Sequence, residues 1–101
     1  MNIAKMLKEA QRMQERMAEA QSELADRTLE ATAGGGKVKV TATGAGDIVS
    51  IKIDPQVVDP EDVDFLEGLV LTAVKQALSD AKELAGAEMG KLTGGLKIPG
   101  M

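Results

Sequence analysis

From Ile3 to Leu24 the sequence carries neither Pro nor Gly, and Ile3, Met6, Ala10, Met13, Met17, Ala20 and Leu24 recur at alternating spacings of three and four. A mean spacing of 3.5 residues is an α-helix with one apolar seam, sustained here over about three heptads. At 1.5 Å per residue the rod is roughly 33 Å long, and Asn2 stands where an N-cap belongs. This seam constrains the fold more than any other feature, because only helical surface covers it well. The covering helix is either a second helix of the same chain or a helix of another chain. Three methionines make the packing adaptable rather than sharply specified.

A different period follows. Val38, Val40 and Ala42 alternate with Lys37, Lys39, Thr41 and Thr43, which is the pattern of a strand with one buried face. "GAGD" at 44–47 supplies a turn, and Ile48 to Ile53 returns as a second strand, with Val49, Ile51 and Ile53 expected on one face. Ahead of "GGG", Thr28 to Ala33 is expected to pair as a shorter strand, completing a three-stranded antiparallel meander. The helical period then resumes, with Asp59 as N-cap, Pro60 at the first helical position and Glu61, Asp62 and Asp64 in the opening turns. Leu66, Val70, Ala73, Ala77 and Leu84 mark its inner face.

The expected architecture is α+β, in the order α-β-β-β-α with two long helices. Residues 1–90 form a single domain and residues 91–101, rich in Gly, a mobile tail. A chain of 101 residues buries a modest core, so help from a partner chain is in keeping with its size.

Most catalytic chemistry is excluded by what is missing. With no His and no Cys, Ser50 and Ser79 lack a conventional base, and no transition-metal set can be assembled. "GGGK" at 34–37 leads into a strand instead of the helix that a phosphate loop requires, and "GAG" at 44–46 lacks the rest of a dinucleotide fingerprint. The acidic run Asp54, Asp59, Glu61, Asp62, Asp64 and Glu67 does not have calcium-loop spacing. Carboxylates before a helix are explained by its dipole. The expectation is a protein without enzymatic activity, cofactor, metal or small-molecule substrate. No apolar run approaches the roughly 20 residues of a membrane span, and Lys5, Lys8, Glu9 and Arg12 interrupt any signal-like segment. A cytoplasmic location is expected.

Charge is unevenly placed. The net charge is −4, yet Lys5, Lys8, Arg12 and Arg16 gather in the first half of the first helix, while Glu19, Glu23 and Asp26 follow in the second. A helix dipole disfavours both placements, by a few tenths of a kcal/mol per charge. Intrahelical pairs such as Lys5–Glu9 and Arg16–Glu19 would recover part of that. Two readings stand side by side: a solvated charged face, or a patch for an anionic partner. With Phe65 the only aromatic residue, no platform exists for stacking single-stranded bases. A nucleic-acid partner would therefore be duplex DNA, held by its phosphates with little base readout.

A Met- and Gln-rich helix, then "GGGKVKV", "IKIDP", the "DPED" helix start with "LEGLV" after it, and the tail "LTGGLKIPGM" occur here in one order. Together they resemble the YbaB/EbfC family of bacterial nucleoid-associated proteins, over nearly the whole chain. Gly68 departs from the pattern, standing where the family usually carries an acidic residue. The resemblance implies a tweezer-like homodimer that binds double-stranded DNA, organises the nucleoid and influences gene expression. On that footing Lys5, Lys8, Arg12 and Arg16 are the leading candidates for DNA contact, with Lys91 and Lys97 behind them. The competing expectation is a protein–protein adaptor that uses the helix seam and the apolar tail residues Leu92, Leu96 and Ile98.

Overall fold

The computed structural model describes residues 2–93. Helix α1 spans Ile3–Asp26. Asn2 begins it as expected: its Oδ1 accepts a hydrogen bond from the Ala4 N–H at 3.1 Å. The helix ends when Arg27 turns to extended backbone and donates its N–H to the Leu24 carbonyl. Strands β1 (Thr28–Ala33), β2 (Val38–Thr43) and β3 (Ile48–Ile53) follow, each where the alternation places it. They pair antiparallel in the order β1-β2-β3. A 3₁₀ turn at Pro55–Val57 leads to helix α2, Val63–Thr93.

The central strand supplies the core. Val38, Val40 and Ala42 of β2 and Ala31 of β1 are buried, and α2 lies across these two strands with Ala73 and Ala77 against them. Alanines let the helix axis approach the sheet closely, and Leu66, Leu69, Val70 and Val74 fill the margins. The β1–β2 connection uses Gly34, Gly35 and Gly36 with φ of 62°, 66° and 89°, a left-handed run that side-chain-bearing residues rarely adopt. The β2–β3 turn carries a different constraint at Gly44. A Cβ there would sit 2.8 Å from the Leu24 carbonyl oxygen, so the end of α1 rests directly on this backbone.

Three details differ from the sequence reading. First, α2 starts at Val63, not at Pro60. Asp59 Oδ1 accepts from the Glu61 N–H and the Asp62 N–H donates to the Asp59 carbonyl, so the acid closes a separate turn before the helix. Second, β3 contains a bulge. Ile53, Ile51 and Ile48 face Val38, Val40 and Ala42, and Val49 is the inserted residue; the shared face therefore holds Ile48 instead of Val49. Third, α2 passes through Gly86 and Gly90 to Thr93. The segment expected as a mobile tail, 91–101, thus begins within a helix, and residues 94–101 lie outside the described residues.

The seam of α1 is fully buried only at its base. Leu24 is buried, beside Ala85 and Met89 of α2, and Ala20 is half-buried. Farther out Ile3 is 71% and Met6 50% exposed. The molecule is correspondingly long, 70 × 29 × 16 Å.

Candidate nucleic-acid interface

At about 100° per residue, Lys5, Lys8, Arg12 and Arg16 occupy one strip of α1, roughly 80° wide and about 17 Å long. The apolar seam lies about 125° away round the helix, so the two faces do not compete for the same neighbour. All four cationic side chains are exposed. None of them forms an ion pair within the described residues, and the expected pairs Lys5–Glu9 and Arg16–Glu19 are not made. Glu19, Glu23 and Asp26 continue the same strip toward the body of the molecule. The strip therefore changes sign along its length, basic at the outer end and acidic at the inner end.

Lys91 behaves otherwise. It lies on α2 with its Nζ 3.4 Å from Glu88 Oε1, and Arg27 Nη1 holds the same carboxylate oxygen at 2.9 Å. The two cations, the Arg27 hydrogen bond first, keep the Glu88 carboxyl below its ordinary value. The geometry makes Lys91 part of a latch between the α1–β1 junction and α2. It does not join the α1 strip. Lys97 lies outside the described residues.

The carboxylates before α2 also have local tasks. Asp54 accepts from the Gln56 N–H at 2.9 Å and sits 3.4 Å from Lys37 Nζ. The backbone hydrogen bond, more than the lysine, holds its carboxyl below the usual range. No group of three or more acidic residues among the described residues is arranged to hold a metal ion. No described helix is long and apolar enough to cross a membrane.

An apolar surface accompanies the basic strip. Because α2 covers β1 and β2, the inner face of β3 stays open, with Ile51 45% and Ile53 38% exposed. Beside it α2 presents Leu66, Val70, Leu71 and Val74, and with Ile53 they bound an open groove of about 590 Å³. Sequence alternation marks the apolar side of β3. It does not tell that α2 stops short of it.

The described residues thus form a small α+β body with a charged helical arm and a separate bare apolar face. Comparison with known proteins gives the particular family. The sequence pattern of the YbaB/EbfC DNA-binding family matches residues 1–96, and the chain belongs to that family. It is 53% identical over 100 residues to a nucleoid-associated protein of Pelotomaculum thermopropionicum, covering 99% of this chain and 95% of that one. It is 56% identical to one of Thermoanaerobacter pseudethanolicus, covering 99% and 90%. An uncharacterized protein of Helicobacter pylori has the same fold, with a TM-score of 0.82 at 18% identity over 91% of this chain and 97% of that one.

Proposed function

We propose that this protein is a nucleoid-associated DNA-binding homodimer that holds duplex DNA by its phosphates with little sequence preference, organising nucleoid DNA and influencing gene expression without catalysing a reaction. The observation that carries the reading is the basic strip of α1. Four exposed cations without acidic partners are kept on an outlying helix end, in a chain of net charge −4. Phosphate is the ligand that rewards such a placement, since neutralising it releases counterions. Family membership supports the same partner. The adaptor alternative has no comparable support, because α1 presents its charge as openly as its seam.

The second surface supports the dimer. Ile51 and Ile53 with Leu71 of α2 form a continuous apolar patch of the kind that marks an association site, and a second copy brings an identical patch about a two-fold axis. Pairing doubles the basic strips on one particle. In a mobility-shift titration on duplex DNA, log K declines by about 0.9 per phosphate neutralised for each unit rise in log salt. Affinity that ignores salt, or no binding at low salt, overturns the reading.

A further inference from the structure

The sheet has a second face that no helix among the described residues packs against along its middle rows. Residues out of phase with the buried Val38 and Val40 point there: Thr32 of β1, Lys39 and Thr41 of β2, Ser50 and Lys52 of β3. In the register Lys39 stands directly opposite Lys52, and Thr41 opposite Ser50. Directly opposed side chains have Cβ atoms about 4.5–5.5 Å apart, and like charges in that relation destabilise a sheet.

No ion pair among the described residues neutralises the pair. Both lysines are exposed, and neither makes an ion pair or hydrogen bond among the described residues. The closest acid along the chain, Asp54, is taken up by Lys37, whose Nζ also donates to Gln56 Oε1 at 2.7 Å. Glu30, on the same face, is opposite Thr41 and diagonal to Lys39, and forms no ion pair with it. Lys37, Lys39 and Lys52 border a hollow of about 410 Å³ together with Asp54 and Pro55. Two ammonium groups next to a Thr–Ser row are the donor types that contact sugar–phosphate backbone. The face holds no aromatic residue for stacking bases.

From this juxtaposition we infer that the Lys39–Lys52 face is a second phosphate-contact surface for duplex DNA, separate from the α1 strip. The inference rests on the DNA-binding reading. The pair lies opposite Thr32, four residues along β1 from the α1 junction at Thr28, about 13 Å up the sheet. It is therefore at the end of the sheet farther from α1. One molecule thus holds the duplex at two separated places.

The test measures anisotropy of labelled duplex DNA against salt for the full chain, for Lys39→Gln/Lys52→Gln and for Lys39→Arg/Lys52→Arg, with thermal melts of each. The Gln pair lowers the slope of log K against log salt by about 1.8 per chain and affinity by about tenfold or more at low salt. Its melting temperature stays level or rises, because a like-charge pair has been removed. The Arg pair keeps the wild-type slope. An unchanged slope in the Gln pair, with wild-type DNA binding intact, overturns this inference and leaves the functional reading standing. Wild-type protein that ignores duplex DNA at low salt overturns both. Unchanged DNA binding combined with lost binding to polyglutamate assigns the face to an acidic protein and also overturns it.

Discussion

The two long helices use apolar residues in opposite ways. In α1 most of them form one seam, yet only its base is buried and most of the outer half stands in solvent. In α2 they are spread round the helix: Ala73, Ala77 and Ala81 are buried inward, while Phe65, Leu71 and Leu78 remain exposed on other sides. A strongly patterned helix is thus mostly uncovered, and a weakly patterned one carries the core. The difference teaches that pattern reports how many surfaces a helix must satisfy. A helix with its own sheet on one side and an open apolar groove on another is apolar on two sides, and its periodicity blurs. An arm with one dry side at its base and exposed charge along its outer half keeps the pattern sharp.

Breaking the outer face of α2 should have the largest effect. Ile51→Glu combined with Leu71→Glu places charges on the apolar patch and should halve the particle mass in analytical ultracentrifugation, whereas Met6→Glu on α1 should leave it unchanged. If the double variant sediments as wild type does, the second copy sits elsewhere. The next contrast uses one substitution at two sites. Ala77→Leu overpacks the helix–sheet contact and should lower stability by about 1–3 kcal/mol; Ala10→Leu, on the exposed part of α1, should shift it by less than about 0.5 kcal/mol. Urea unfolding of both variants checks the pair.

A smaller effect of opposite sign is expected at Gly86. It is exposed within α2, and a Cβ there meets nothing within 4 Å. Gly86→Ala should therefore stabilise by about 0.5–1 kcal/mol through helix propensity alone. The smallest effect concerns the latch. Glu88 is held below its ordinary value of 4.5 by Arg27 and Lys91, so its contribution is complete above that pH and fades as pH falls through the lower folded value. Thermal melts of Glu88→Gln and wild type should differ near neutrality and converge in acid. A difference that grows in acid would contradict the assignment.

Much of this was legible in the sequence, for identifiable reasons. The seam, the Val38–Val40–Ala42 alternation and the "GAGD" turn are local signals, and they place α1 and the three strands. The start of α2 misled because Asp59 and Pro60 carry the marks of a cap while serving a preceding turn. The bulge had one faint signal, the adjacent Ile48 and Val49, which break strict alternation. What depends on register or on distant residues could not be read locally. Lys39 faces Lys52 only once β2 and β3 are aligned, and Lys91 is drawn into an ion pair through Glu88, which Arg27 approaches from 61 residues away. That α1 projects, leaving its basic strip unpaired, emerges only when α2 is seen to meet its base alone.

The most direct test of the central claim is duplex-DNA affinity of Lys5→Glu/Lys8→Glu/Arg12→Glu beside wild type, with circular dichroism and particle mass recorded on the same samples. The account predicts that binding at low salt is lost while helicity and mass are retained. Wild-type affinity in the correctly folded variant would contradict it.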